Sequence, residues 1–299
     1  MRDSNFIDPA LSRKSDIIND SLQLVDGWPL PSVVEVSESG TCNRKCSFCP
    51  RSDDKFPDIK EFIKPELISK LASELSVLGY AGIFLFSGFV EPMLDKKIFN
   101  HIKVVRSHLP LAKIEMVTNG DVLDTVRLKR LFEAGLSTIL ISVYDSAQDA
   151  ERFNNMCINA GLASNQFVIR HRYLPEEQSF GITMNNRAGM MATAEYAIPA
   201  LQEPLVAPCN YPHYTFFMDY LGDVLLCPHD WGKKKILGNM FNQTFREIWL
   251  SKMFMISREM LENSNRKFPP CNECDVKGTL MGSSHVASWD RFRRAAGSR

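Results

Sequence analysis

Three cysteines lie within one short segment, where Cys42, Cys46 and Cys49 are separated by three and then two residues. Thiolates so closely spaced are ligands for zinc or for iron–sulfur clusters. Three ligands leave one metal position open, so a centre held here can bind a further molecule. The segment follows a predicted strand, and barrel enzymes place their reacting groups at that end of a strand. We predict a reactive metal centre, with zinc and an outside ligand as the alternative.

A second cysteine group lies in the last third of the chain and comprises Cys209, Cys227, Cys271 and Cys274. One member precedes a predicted hairpin, one follows it, and the last two form a CxxC pair. These thiols converge on one centre if the hairpin folds back, and four thiolates fill every ligand position. A structural zinc ion is the alternative. The eighth cysteine, Cys157, lies on a predicted helix and reads as a buried apolar residue.

Alternating strands and helices must position these groups. Apolar runs predict strands, and apolar residues at helical spacing predict helices. The predicted strands are 33–36, 83–86, 114–117, 138–143 and 166–171, and the predicted helices are 65–78, 98–109, 125–134 and 148–160. Five or six such units in about 200 residues favour a partial (β/α)6 barrel over a closed eightfold one. The fold class is therefore α/β.

The pattern changes near residue 200. A hairpin is predicted from 214–219 and 224–226, followed by a helix over 244–261 and a basic tail that we expect to be frayed. Residues 1–31 show no clear periodicity and are predicted to be an irregular lead-in. We divide the chain into the lead-in 1–31, a barrel over 32–200, a small α+β domain over 201–280 and a tail over 281–299.

Composition narrows the possible partners and location. Thirty-five basic and thirty-five acidic residues cancel, so nothing demands a nucleic acid or an anionic membrane. No apolar stretch reaches the length of a membrane span, and the polar start does not resemble a secretory signal. We expect a cytoplasmic protein, in which cysteines serve as metal ligands or reactive thiols more often than as disulfides.

The first cysteine group resembles the motif of the radical S-adenosylmethionine (SAM) superfamily, CxxxCxxC with an aromatic residue before the last cysteine, here Phe48. The resemblance implies that the three thiolates hold a [4Fe–4S] cluster whose open iron binds SAM. One electron then cleaves SAM to a 5′-deoxyadenosyl radical, which takes hydrogen from a substrate. The expected barrel is that of this superfamily.

Further positions match the SAM-binding motifs of the superfamily. The segment from Gly88 to Glu91 is similar to the GGEP motif with two extra residues, and it implies contacts with the SAM amino group. Asn119 lies in a Thr-Asn-Gly turn that also resembles a family motif. Ser142 and Arg170 are candidates for the SAM carboxylate or ribose, and Arg172 is an equal candidate because alternation places both arginines on one face.

The second cysteine group resembles the twitch domain, a shortened SPASM domain that binds one auxiliary [4Fe–4S] cluster. The cysteine layout is similar to that of 2-deoxy-scyllo-inosamine dehydrogenase. Two [4Fe–4S] clusters and SAM are the implied cofactors. The auxiliary cluster would take an electron while a hydroxylated small molecule, a sugar or cyclitol, is dehydrogenated. Arg187 is the candidate base, with His229 and Asp230 as alternatives.

Other functions stay open at this point. Radical epimerisation of a sugar or aminoglycoside needs a hydrogen donor, for which Cys157 is the unassigned thiol. Peptide modification is known among SPASM proteins, but few residues precede Cys42 for a peptide-recognition domain. A zinc-bound scaffold without catalysis is the non-enzyme alternative. For the enzyme, the resemblance implies a flavodoxin- or ferredoxin-type electron donor.

Overall fold

Alternating strands and helices occupy most of residues 8–297, which the computed structural model describes. The helices are α1 Pro9–Asp20, α2 Pro65–Val77, α3 Ile98–His108, α4 Thr125–Glu133, α5 Ala147–Asn159, α6 Tyr211–Tyr214, α7 Phe245–Trp249, α8 Lys252–Glu262 and α9 Ser283–Gly297. The strands are β1 Leu24–Val25, β2 Trp28–Pro29, β3 Val33–Ser37, β4 Ser39–Gly40, β5 Ile59–Phe62, β6 Ile83–Phe86, β7 Lys113–Thr118, β8 Thr138–Val143, β9 Phe167–His171, β10 Thr215–Asp219, β11 Asp223–Leu225 and β12 Ile236–Asn239. None of the helices in this range is long and apolar enough to cross a membrane.

Within the described residues, eight strands form one sheet in the order β12-β11-β10-β3-β6-β7-β8-β9. The six strands from β10 to β9 in this order are parallel neighbours. Strands β11 and β12 extend the sheet in antiparallel fashion. The α/β fold with a partial six-stranded parallel barrel is thus confirmed, and so is the predicted hairpin β10–β11.

The sixth parallel strand comes from beyond the predicted boundary near residue 200. In β10, Thr215 pairs with Val33 and Asp219 pairs with Ser37, in parallel register with β3. The same strand is the first arm of the predicted hairpin, so one sheet passes from the barrel into the C-terminal region. The domain boundary near residue 200 remains a prediction, and the sheet does not break there.

The central strands are apolar because both of their faces are covered. Every residue of β6 and β8 is buried, and α2 packs Leu67, Leu71 and Leu75 into the core. Side chains alternate along a strand, so in β3 Val34 and Val36 join the core between sheet and helices, while Glu35 faces the opposite side. Polar residues on that inner face are therefore available for a site.

The predicted irregular lead-in is wrong for residues 9–20, which form α1. Ile18 of this helix is fully buried, and Arg13 reaches the sheet, where its Nη1 donates to Glu115 on β7 at 3.0 Å. The helix is stabilised by Glu115, a partner 102 residues away, which local periodicity does not reveal. Residues 1–7 of the lead-in lie outside the described residues.

The predicted helix 244–261 is two helices. Thr244 and Glu247 form a capping box at the start of α7, and the Ser251 hydroxyl accepts from the backbone N–H of Phe254 to begin α8. A serine that caps a new helix interrupts the first one, because its own backbone is extended (φ −61°, ψ 149°). The apolar spacing continues across the break, which explains the error.

The frayed tail was also a wrong prediction, since α9 covers residues 283–297. Trp289 is fully buried, its indole N–H donates to the His213 carbonyl at 3.0 Å, and its ring lies 5.7 Å from that of Trp249. The Arg258 guanidinium lies 3.8 Å from the Trp289 ring centre. One large aromatic side chain thus anchors an otherwise polar helix. Residues 298–299 lie outside the described range.

Candidate active site

A cavity of about 330 Å³ lies on the inner face of the parallel strands. Its walls come from the first cysteine loop, from β3, β6, β7, β8 and β9, from α1 and from the segment that follows Cys227. Residues from distant parts of the chain therefore meet in one space. Because several of them are charged or bear thiols, this cavity is the candidate active site.

Cys42, Cys46 and Cys49 all line the cavity and are half-buried. The Cys49 backbone N–H donates to the Cys46 carbonyl at 2.9 Å, which turns the loop so that the thiols share one wall. Burial raises the pKa of each thiol, and the neighbouring cysteines help to raise that of Cys46 to about 12. A bound metal overcomes this barrier because it deprotonates the thiol that it binds. The three thiols therefore fit a metal cluster.

Arg44 fixes the first cysteine loop to the adjacent strand ends. Its guanidinium donates to Asp121, after β7, at 2.7 Å and to Asp145, after β8, at 2.9 Å. Asn43 donates to the same Asp121 at 2.7 Å. Such paired charge-assisted bonds specify the loop position more than they stabilise the fold, because the groups are partly exposed.

Phe48 stacks on an aromatic group at the cavity edge. Its ring centre lies 4.8 Å from that of Phe180 and 6.1 Å from that of Tyr144. Phe48 and Tyr144 both line the cavity. The predicted cofactor-binding position thus faces the site, and it has aromatic neighbours that the sequence did not indicate.

Gly88 and Glu91 belong to the loop after β6. Gly88 has φ +103°, and a Cβ there would lie 2.8 Å from the Ser37 Cβ, so only glycine fits without a shift. Glu91 is 2% exposed and accepts from Thr118 Oγ1 at 2.6 Å, Asn119 N at 2.6 Å and Met93 N at 3.0 Å. Burial raises the Glu91 pKa to about 7, although these donors lower it.

Asn119 and Ser142 are both buried and line the cavity. The Asn119 side chain already has two protein partners, because Nδ2 donates to Asn43 at 2.8 Å and Oδ1 accepts from Asp121 N at 3.0 Å. It therefore connects the Thr-Asn-Gly turn to the first cysteine loop. Ser142 ends the inner face of β8 beside the same cavity.

Arg170 and Arg172 point to one side of the sheet, as alternation predicts. Both donate to the same carboxylate oxygen of Asp8, just before α1, and the Arg170 distance is 3.1 Å. The surface salt bridge considered for these residues is therefore a largely buried one. Burial lowers the pKa of Arg172 to about 10, which still leaves it charged near neutral pH.

The second cysteine group also comes together in the structure. Burial raises the pKa of Cys227, and the next largest contributions come from Cys271, Cys274 and Cys209. Such mutual effects require that the four thiols lie near each other. Among the described residues, no three His, Cys, Asp or Glu side chains surround a single ion position. Thiolates that bind separate irons of a cluster do not have to share one point.

Arg266 holds together the two segments that bear Cys209 and Cys274. It donates to the carbonyls of Ala207, Pro208, Val276 and Lys277 at 2.6–2.9 Å. Gly278 then passes so close that a Cβ would lie 2.4 Å from the Cys209 sulfur. This role of Arg266 could not be predicted from sequence, because its acceptors are backbone carbonyls far apart in the chain.

The three candidate bases lie in different surroundings. Arg187 lines the cavity, has φ +48° and lies 5.7 Å from the Trp231 ring centre. His229 also lines the cavity, and burial lowers its pKa to about 3, so it is neutral. Asp230 instead accepts from the backbone N–H groups of Lys234 and Lys235 at 2.9 Å. Asp230 therefore stabilises a turn and is not a base for the cavity.

Several cavity residues were not predicted, among them Glu35 and Lys14. Glu35 is 6% exposed on the inner face of β3, and an acid inside an apolar strand was an available signal. Lys14 enters from α1, which the sequence did not reveal. Cys157, by contrast, is fully buried on α5 and outside the cavity wall, so the site offers no role for it as a hydrogen donor.

The chain matches two known sequence families. The radical SAM superfamily matches residues 37–162, and the SPASM iron–sulfur cluster-binding domain matches residues 209–275. The chain therefore contains a radical SAM domain and a SPASM domain. It is a radical SAM enzyme whose cofactors are SAM and two [4Fe–4S] clusters, and the two matches contain the two cysteine groups described above.

Individual relatives agree with this assignment. The S-adenosyl-L-methionine-dependent 2-deoxy-scyllo-inosamine dehydrogenase of Niallia circulans is 29% identical over 245 residues, covering 82% of this chain and 92% of the relative. A GTP 3′,8-cyclase of Stenotrophomonas maltophilia is 28% identical over 67% of this chain and 55% of its own length. The crystal structure of BtrN in complex with AdoMet and 2-DOIA is 28% identical, with a TM-score of 0.69 over 83% of this chain and 94% of BtrN.

Proposed function

We propose that this enzyme dehydrogenates a hydroxyl group of a small polyol, a sugar or cyclitol, to a ketone. The observation that carries the proposal is the position of the second cysteine group beside the cavity. Tyr211 and Pro228 line the cavity and follow Cys209 and Cys227 closely in the chain. A cluster with four protein ligands has no free iron for substrate, so its proximity suits an electron acceptor. The similarity to an inosamine dehydrogenase supports the same reaction.

In this proposal Cys42, Cys46 and Cys49 hold the cluster that binds SAM, and Cys209, Cys227, Cys271 and Cys274 hold the auxiliary cluster. Phe48, Gly88, Glu91, Asn119, Ser142 and Arg170 form the SAM-binding wall. Glu91 retains accepting capacity on Oε2, which has one protein donor, for the SAM ammonium group. Arg170 and Arg172 both pair with Asp8, and together they can also bind the SAM carboxylate.

The bound cofactors supply a carbon-centred radical that removes one hydrogen atom and an acceptor for one electron. To balance oxidation of an alcohol to a ketone, the protein must also take the hydroxyl proton. We propose that Arg187, which forms no ion pair within residues 8–297, takes this proton through its minor neutral guanidine form, which burial favours by lowering the Arg187 pKa. His229 is a second acceptor, because burial keeps its ring neutral and neither ring nitrogen has a partner there.

We also infer a cytoplasmic enzyme that receives its electron from a flavodoxin- or ferredoxin-type protein. All eight cysteines are free, and seven belong to the two cysteine groups, as a reducing compartment requires. The proposed regions are the lead-in 1–31, the barrel 32–200, the twitch domain 201–280 and the tail 281–299. The parallel sheet continues across the proposed boundary, because β10 pairs with β3.

The test is anaerobic reconstitution followed by iron, sulfide and product analysis. The wild type should contain about eight irons, and a variant with Cys42, Cys46 and Cys49 changed to alanine about four. That variant should form no 5′-deoxyadenosine, whereas the control Cys157→Ala should match the wild type. With a panel of polyols, 5′-deoxyadenosine and ketone should appear in equal amounts. Formation of an epimerised polyol without ketone would refute dehydrogenation.

A further inference from the structure

The charged side chains of the cavity do not balance. Seven Lys or Arg residues but four Asp or Glu residues line it. Most of them have partners: Arg13 binds Glu115, Arg170 and Arg172 bind Asp8, and Arg44 and Arg51 bind aspartates of neighbouring loops. Glu91 is held by three donors. The groups available to a substrate are therefore few.

Three charged groups in the cavity wall, Lys14, Arg187 and Glu35, form no ion pair in the part of the chain that the structure describes. The positive charges of Lys14, Arg187 and Arg170 act on Glu35 and oppose the effect of burial on its pKa. Glu35, which also has a hydrogen bond with the Ser87 side chain, thus already faces several cations. An ammonium group on a substrate would meet the same cations and be repelled.

We propose that the substrate is an anionic polyol, carrying a carboxylate or a phosphate, and that Lys14 binds this anionic group. The inference rests on the proposed dehydrogenation and adds the substrate class. Glu35 then accepts hydrogen bonds from hydroxyl groups of the polyol, for which a carboxylate flanked by cations remains a good acceptor.

We assign specificity to Lys14 because it forms no ion pair in the described part of the chain, although its charge also acts on Glu35. Its neighbour Arg13 ties α1 to Glu115, and Ile18 packs this helix on the sheet, so Lys14 is positioned without being used for packing. The helix precedes residues 37–162, the part that matches the superfamily. The anionic subsite therefore comes from a segment outside the shared catalytic region.

The proposal is tested by equilibrium binding to reconstituted, SAM-loaded enzyme. The probes are glucuronate and myo-inositol 1-phosphate as anions, myo-inositol as the neutral polyol and 2-deoxy-scyllo-inosamine as the cation. At least one anionic probe should bind about tenfold more tightly than both others, as expected for one charge-assisted contact. Lys14→Ala should remove this preference and leave myo-inositol binding unchanged, and Lys14→Arg should retain it.

Lys55→Ala, which changes an exposed lysine that does not line the cavity, is the matched control and should behave as the wild type. In turnover, Lys14→Ala should raise KM for the anionic polyol and leave kcat nearly unchanged. Equal affinity of wild type and Lys14→Ala, or no anion preference, would overturn the inference even if ketone forms. Lys14-dependent anion binding without any ketone would support the subsite and refute the dehydrogenation.

Discussion

Glu91 should make SAM binding depend on pH near neutrality. Its carboxyl group is 2% exposed, and burial raises its pKa to about 7 from the usual 4.5. Below pH 7 the neutral acid dominates, and it cannot pair with the SAM ammonium group. The affinity for SAM should therefore fall as pH falls through 7. The Glu91 pKa is about 7 in the folded protein and about 4.5 in the unfolded chain. The unfolded chain therefore loses this proton first, and the free energy of unfolding should fall as pH rises from about 4.5 to 7.

The size of the effect follows from the titration. With a pKa of about 7, the carboxylate fraction is about nine-tenths at pH 8 and about one-tenth at pH 6. If SAM binds the carboxylate form, its Kd rises about tenfold over this range, which is about 1.4 kcal/mol. Glu91→Gln removes the charge at every pH, so its weaker SAM binding should lack this dependence.

The assay is anaerobic calorimetric titration of SAM into reconstituted wild type and Glu91→Gln between pH 6 and pH 8. Dividing the Kd of Glu91→Gln by the Kd of the wild type at each pH cancels the ionisation of SAM itself. This ratio should be about tenfold larger at pH 8 than at pH 6. Glu133→Gln, an exposed change on α4, is the control and should follow the wild type. A constant ratio across the range would refute the role of Glu91.

Three further substitutions test how the site is supported. Trp289→Ala empties the buried space beside Trp249 and should lower the free energy of unfolding by about 3–5 kcal/mol in urea. Gly120→Ala, at φ +77° and with a new Cβ 2.5 Å from Phe153 Cζ, should lower the melting temperature and weaken SAM binding. Arg266→Met should remove the hydrogen bonds that join the segments bearing Cys209 and Cys274, and it should reduce reconstituted iron from about eight to about four per chain.

Each of these has a matched control. Leu280→Ala changes an exposed residue near α9, and a loss equal to that of Trp289→Ala would contradict the anchoring role. Gly79→Ala adds the same backbone strain at φ +66° with no atom within 4 Å, so it should cost less than Gly120→Ala. Lys267→Met should keep about eight irons, and if Arg266→Met also keeps them, the brace is unnecessary.

The barrel strands could be predicted because parallel strands with both faces covered appear as short apolar runs. The prediction for 83–86 matched β6, and that for 138–143 matched β8. The segment from Cys42 to Cys49 could be predicted to bind one metal centre because its three cysteines lie on one loop, where their spacing in sequence alone indicates that they are close. Helices α1 and α9 could not be predicted. Their stabilising partners, Glu115 for α1 and Trp249 for α9, are distant in the chain.

The candidate site shows the same division between local and distant information. Glu91 was found by its motif, but its three hydrogen-bond donors come from the end of β7, the turn after it and the loop after β6, and their effect on its pKa is visible only after folding. Lys14 could not be found at all, because its relevance depends on how α1 crosses the sheet. Charge partners, rather than residue types, decide which cavity groups remain free for a ligand.

The shared sheet has a consequence for electron transfer between the two proposed clusters. Strand β3 leads into the loop of Cys42, and β10 lies between Cys209 and Cys227. These strands are hydrogen-bonded neighbours over five residue pairs. The two cysteine groups therefore flank adjacent strands of one sheet. In the proposed dehydrogenation, the second cysteine group would hold the electron acceptor beside the strand that neighbours β3, the strand leading to the first group.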